Sequence, residues 1–231
     1  MDGAGEDDRG YIRSRGLRIP KDARFIAGRT RRNLRADAYE KRESDAVLRV
    51  VRPGDRVLEL GAGIGYMSAL IATRTKAAHV TSFEANPALI PFIAEVHRAN
   101  DVTNTTVHNA LLAPEAGPAR RFHIREDFLA SSLDPDAAGG VTGTEEVEVR
   151  ALPAVLEEVR PDVLVCDIEG AEAELLPAGD WTGLRAAVIE LHPQWIGQAG
   201  VQAVFDAMQR AGLTYFPRAS QAKVVTFRKG C

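Results

Sequence analysis

Apolar positions change their period several times along the chain. Between residues 56 and 113, short unbroken apolar runs alternate with stretches in which apolar residues recur every three or four places. "RVLELG" (56–61), "HVTSFEA" (79–85) and "TTVHNALLA" (105–113) read as strands, and "YMSALIATRT" (66–75) and "ALIPFIAEVHRAN" (88–100) as helices between them. The pattern resumes at "DVLVCDIEG" (162–170), a buried strand followed by a helical turn or two in "AEAELLPAG". "RAAVIELH" (185–192) is a strand and "VQAVFDAMQRAG" (201–212) an amphipathic helix. Strands without polar alternation are buried on both faces, so the chain predicts an α/β fold, a parallel sheet with helices on either side. "LTYFPRA" and "AKVVTFRKG" at the end predict two strands with a short connection, which makes one edge of the sheet mixed.

Two segments depart from this rhythm. "ARRFHIRE" (119–126) and "TEEVEVRAL" (144–152) alternate apolar and charged residues, as an exposed antiparallel pair does, and predict a β-hairpin insertion. The intervening loop is rich in Gly, Asp and Ser, and long loops in compact domains are often functional. Ahead of the first strand, residues 1–10 predict a disordered tail and residues 11–50 a basic helical extension. Its last part, "AYEKRESDAVLRVV" (38–51), has apolar residues at helical spacing until Pro53-Gly54 stops it. Residues 51–231 then form the main domain.

Composition changes this picture little. With 231 residues, 45% hydrophobic and 26% charged, the chain supports a single core. No apolar run approaches a membrane span, no secretory h-region begins the chain, and the two cysteines have neither disulfide nor metal spacing. A cytoplasmic protein without a membrane partner is the expectation. Net charge is −3, yet residues 9–42 hold 12 Lys/Arg against three Asp/Glu. That stretch is a solvated arm, or a flap that meets an anionic substrate.

The candidate chemistry begins at "LELGAGIGYMS". Gly61, Gly63 and Gly65 follow the first strand, where ligands bind in doubly wound sheets and where bare backbone allows close approach. No Lys-Ser/Thr follows, which excludes a phosphate-binding P-loop, and Tyr66 stands where a dinucleotide motif needs its third glycine. Glu84 ends the next strand, where a carboxylate can accept both ribose hydroxyls; it also precedes a helix start opened by Asn86-Pro87. Glu59 is an acid within an apolar strand end, costly unless paired with the N–H groups of the glycine turn or with a ligand ammonium.

Together "LELGAGIGYMS", "SFEANP", "DVLVCDIEGAEAELL" and "VIELHP" resemble the FkbM-type branch of the class I S-adenosylmethionine-dependent methyltransferases, with "YEKRE" and "ASSL" also similar. The resemblance covers residues 39–193. It implies a Rossmann-like, doubly wound, seven-stranded sheet whose last strand is antiparallel, S-adenosylmethionine as cofactor, and O-methylation of a small molecule or sugar. Carried over, it sets the glycine turn against the amino-acid part of the cofactor and Glu84 on the ribose. Ala85 and Asn86 fall at the adenine edge, and Asn109 and Ala110 beside the adenine.

Methyl transfer to an alcohol needs alignment and a base. Asp167, Glu169, Glu190 and His192 fall at strand ends near the first strand. Asp167 is expected to be innermost and His192 the base, while Glu172 reads as a helix-start charge. Asp167, Glu169 and Glu190 are also oxygen donors for a divalent cation, but their spacing compels none and no metal is assigned. Ser131 and Ser132 in the long loop are turn residues or, by the resemblance, substrate contacts. Trp195 packs, or lines an acceptor pocket. The partner expected is a small hydroxylated molecule, with a homodimer left open. Two alternatives compete. A nucleic-acid methyltransferase would use the basic segment, which lacks interleaved aromatics. A nucleotide-binding module without catalysis would not need the acidic cluster.

Overall fold

The structure, a computed structural model, describes residues 8–125 and 140–230. The basic extension is helical only in its second part. Residues expected to form helices instead make a hairpin of β1 (Tyr11–Ser14) and β2 (Leu17–Pro20), with Ile12 opposite Ile19. The reason is local: Arg15 and Gly16 both have positive φ (47° and 80°), the geometry of a two-residue hairpin turn, and Ile12, Ser14, Leu17 and Ile19 alternate inward. Helices α1 (Gly28–Arg35) and α2 (Lys41–Val50) follow. Leu34, Val47 and Val50 bury themselves in the same apolar cluster as Ile12, Leu17, Val57 and Val80.

The main fold then runs β3 (Arg56–Leu60), α3 (Tyr66–Arg74), β4 (His79–Glu84), α4 (Ile90–Ala99) and β5 (Thr105–Ala113). The hairpin β6 (Gly117–Arg125) and β7 (Val141–Ala151) comes next, followed by α5 (Leu152–Val159) and β8 (Val163–Cys166). The chain finishes with α6 (Glu172–Leu175), β9 (Ala186–Glu190), α7 (Pro193–Arg210), β10 (Thr214–Tyr215) and β11 (Val224–Arg228). The sheet has nine strands in the order β10-β11-β9-β8-β3-β4-β5-β7-β6, rather than seven. Within it the inner seven from β11 to β7 are parallel except β11, which runs antiparallel to β9. The two additional strands are edge partners, β6 antiparallel to β7 and β10 antiparallel to β11.

β3, β8 and β9 are buried on both faces almost throughout, which is why their sequences read as continuous apolar runs. The chain leaves β3 toward β4 and β5 and returns on the other side to β8 and β9, so the order reverses between β3 and β8. Ligands bind at such a reversal, beyond the carboxyl ends of the strands. β8 is shorter than expected. It ends at Cys166, and the chain turns through Glu169 (φ 49°) and Gly170 (φ 103°), so Asp167 and Glu169 do not alternate along a strand. α7 begins eight residues earlier than its periodicity suggested and bends at Gly197 (φ 62°).

Candidate active site

The three glycines after β3 have different tasks. A Cβ on Gly61 would lie 1.8 Å from the Asp167 carbonyl oxygen, and one on Gly65 would lie 2.8 Å from Ile93 Cγ2. These two let the turn pack between the end of β8 and helix α4. A Cβ on Gly63 would meet nothing within 4 Å. Gly63 alone faces open space, with φ at 52°, and its N–H donates to Glu84 Oε2 at 2.8 Å. Glu84 Oε1 accepts from the Asn86 N–H at 2.7 Å. Asn86 Oδ1 in turn caps the Pro87–Leu89 turn through the Ala88 N–H. Asn109 Nδ2 donates to the carbonyls of Glu84 (2.9 Å) and Ala85 (3.1 Å), locking the ends of β4 and β5 together, and Ala110 is buried beside it. The glycine turn thus finds its carboxylate in Glu84. Glu59 is buried; Ser82 and Ser68 stand close enough to moderate its carboxyl, but neither oxygen makes an aligned hydrogen bond. Burial pushes both carboxyls up to about 7, and for Glu59 the nearby Glu84 charge adds to it.

A second cluster sits beyond β8 and β9. Asp167 follows β8, Glu190 ends β9, and His192 caps α7. His192 Nε2 lies 3.6 Å from Asp167 Oδ1, 3.1 Å from Glu169 Oε2 and 3.9 Å from Glu190 Oε1. Its Nδ1 is 3.2 Å from Glu172 Oε1, which also accepts the His192 main-chain N–H at 2.8 Å. Glu172 is wholly buried, and its other oxygen takes the Gly170 N–H at 2.8 Å. It is therefore more than a helix-start charge: it orients the imidazole. Burial alone would raise its pKa, but the bonds from His192 hold it below the usual carboxylate range. Burial likewise opposes charge on His192, yet the bond to Glu172 and the Glu169 charge lift its pKa above the ordinary value. Asp167 is pushed well up by burial, and next by the Glu190 charge. Lys223 pairs with Glu190.

The four expected catalytic side chains thus meet, and two acids join them that sequence reasoning gave no role. Glu40 and Glu43, in the quoted "YEKRE", border the same cleft. Burial raises Glu40 to about 8 and Glu43 to about 7. The cleft has a volume of about 990 Å³ and runs between Arg24, Arg29 and Arg42 of the N-terminal segment and Asp167, Glu169 and Glu190. Trp195 stands exposed on the first turn of α7, its Cβ against Gly170. Trp181, by contrast, is buried and donates to the Leu176 carbonyl. Ser131 and Ser132 lie outside the described residues.

A parallel sheet that reverses beside a glycine turn, with an acid closing the next strand, defines a Rossmann-like methyltransferase fold. The family model for the methyltransferase FkbM domain matches residues 59–215, and the chain belongs to that family. It is an S-adenosylmethionine-dependent methyltransferase. Among solved structures, Trm5b from Pyrococcus abyssi is similar in fold at 13% identity and a TM-score of 0.52, over 94% of this chain and 55% of that one. TYW2 of M. jannaschii, solved in complex with AdoMet, is similar at 14% identity and a TM-score of 0.50, over 94% and 85%. No curated protein matches the chain. No helix among the described residues is long and apolar enough to cross a membrane.

Proposed function

We propose that the enzyme methylates a hydroxyl oxygen of a small molecule. The observation that carries this reading is His192, turned by a buried carboxylate so that Nε2 faces Asp167, Glu169 and Glu190 at a cleft. An alcohol is a poor nucleophile until its proton is taken, and a positioned base supplies that need. Glu172 accepts a hydrogen bond from Nδ1, which leaves Nε2 to take the acceptor's proton by way of Glu169, which lines the cleft. Glu169, 3.1 Å from Nε2, favours the imidazolium that results. A cleft of about 990 Å³ suits a small acceptor, within the usual range of ligand sites.

The residues at the switch point fit the cofactor. Gly63 offers unobstructed backbone, Glu84 keeps a free lone pair on each oxygen for ribose hydroxyls, and the unpaired Glu59 carboxyl suits an ammonium group. Gly61 and Gly65 shape the turn, while Ala85, Asn86, Asn109 and Ala110 border the adenine. Bound there, S-adenosylmethionine supplies an electrophilic methyl carbon. Trp195, exposed beside Gly170, is given to the acceptor side.

The test is incubation of the full chain with S-adenosylmethionine and separate pools of polyhydroxylated small molecules and RNA, with S-adenosylhomocysteine and methylated product read by mass spectrometry. An O-methylated small molecule is expected. Methylation confined to RNA, or to nitrogen or carbon, overturns the reading.

A further inference from the structure

His192 is only 1% exposed, and its Nε2 makes no aligned hydrogen bond, the nearest carboxylate being Glu169 Oε2 at 3.1 Å. Asp167 Oδ1, 3.6 Å away, is also shielded from solvent and unpartnered. One ligand atom from each of Asp167, Glu190 and His192 falls within 4.8 Å of the others. We infer that these three side chains hold one divalent first-row transition cation, of the Mn²⁺ kind, at the floor of the cleft.

Three physical points support the site. First, Glu172 fixes the ring through Nδ1, and a carboxylate on the far nitrogen is how ligating histidines are commonly oriented. Second, the spacing fits. With bonds of about 2.1 Å, neighbouring ligands of an octahedral ion stand about 3.0 Å apart and opposite ones about 4.2 Å. The separations of Nε2 from Asp167 (3.6 Å) and Glu190 (3.9 Å) lie between those limits, so small side-chain rotations close the site. Third, oxygen donors are in surplus. Asp167, Glu169 and Glu190 converge on His192 Nε2, and among them Glu190 is the one paired with a lysine, Lys223. One imidazole with two carboxylates is a donor set that suits Mn²⁺ better than Ca²⁺ or Mg²⁺, which favour oxygen alone.

Three protein ligands leave coordination positions open toward the cleft. The role of the cation, though not its site, rests on the O-methylation proposed above. A coordinated hydroxyl is more acidic and is held in one orientation. Nε2 is then a ligand instead of the proton acceptor. The hydroxyl proton passes to Glu169, which is 3.1 Å from Nε2 and more open to solvent. The oxygen pair forms the new bond to the methyl carbon as the carbon–sulfur bond breaks onto sulfur.

The test is titration of the metal-stripped full chain with Mn²⁺, followed by electron paramagnetic resonance of the free ion and by calorimetry. One equivalent is expected to bind, and His192→Gln and Glu190→Gln are each expected to weaken it at least tenfold. Circular dichroism establishes that each variant folds, and if His192→Gln does not, Glu190→Gln at the cleft wall decides. Absence of binding by the wild type, or undiminished binding by folded Glu190→Gln, overturns the site. Binding without O-methylation of any small acceptor sustains the site and sinks the functional reading. O-methylation that persists in a chain shown to bind no Mn²⁺ does the reverse.

Discussion

Glu59 carries a carboxyl group inside the apolar end of β3, moderated by Ser82 and Ser68 but with no aligned hydrogen bond to either oxygen. Its pKa of about 7 in the folded protein stands against an ordinary 4.5, so the charged form is the disfavoured one. A raised acid contributes its full stability below pH 4.5 and loses it as pH climbs through 7. At pH 8 the deficit is on the order of 3 kcal/mol. Glu59→Gln is therefore expected to raise the melting temperature by several degrees at pH 8 and change it little at pH 4, while weakening S-adenosylmethionine binding. Scanning calorimetry at both pH values reads the first effect and titration the second. An unchanged affinity would remove Glu59 from the cofactor site. Glu172 acts on the reaction through His192, whose pKa it helps to raise. Turnover needs Nε2 free of its proton, whether as base or as ligand, so kcat is expected to fall as pH drops below the raised His192 value. Glu172→Gln removes the charge that favours the imidazolium and moves that inflection to lower pH. A merely structural role would lower kcat without moving it.

The turn between β3 and α3 separates packing from ligand contact at neighbouring glycines. Gly61→Ala forces a Cβ to 1.8 Å from the Asp167 carbonyl and is expected to destabilise the fold by more than about 2 kcal/mol, the cost of an overpacked, strained site. Gly63→Ala meets no atom and carries only the backbone penalty of positive φ, about 1 kcal/mol. It is expected to fold and yet bind S-adenosylmethionine at least tenfold more weakly. Urea titration and calorimetry on both variants test the contrast, and equal behaviour would refute it. Much of this element was legible because its signal is local: an apolar run, then G-x-G-x-G, then a helical period. The parallel strands were legible for the same reason. The β1–β2 hairpin was missed because four-residue strands give period two little room, and the turn rests on Arg15 in an unusual conformation. The convergence of Glu40 and Glu43 on Asp167 was not legible at all. About 125 residues separate them, and no local pattern encodes which loop folds over which strand end.

At the scale of the whole molecule, the N-terminal segment is one wall of the cleft and the sheet is the other, so what ties them sets the shape of the acceptor site. α2 is anchored at its end by Arg185, which precedes β9. The Arg185 guanidinium donates to the Val50 carbonyl at 2.9 Å and pairs with Asp55, which is mostly buried and also accepts the Arg52 N–H at 2.6 Å. The start of α2 carries Glu43 toward Glu190, and Tyr39 just before it meets Tyr66 of α3 edge-on at 5.2 Å. Arg185→Met keeps the length of the side chain but strands the Asp55 charge and frees the end of α2. Breaking a well-buried pair costs 3–5 kcal/mol. Arg185 is 23% exposed, so about 2 kcal/mol is expected, or roughly 5 °C in melting temperature. The functional consequence is directional. The glycine turn and Glu84 are fixed by β3 and β4, with Tyr39 on Tyr66 joining them to the start of α2, whereas Glu40 and Glu43 ride on α2 itself. Arg185→Met is expected to raise the acceptor KM several-fold while the affinity for S-adenosylmethionine stays within twofold. A parallel loss of both would mean that the two walls move as one body and that the cleft is not shaped by α2.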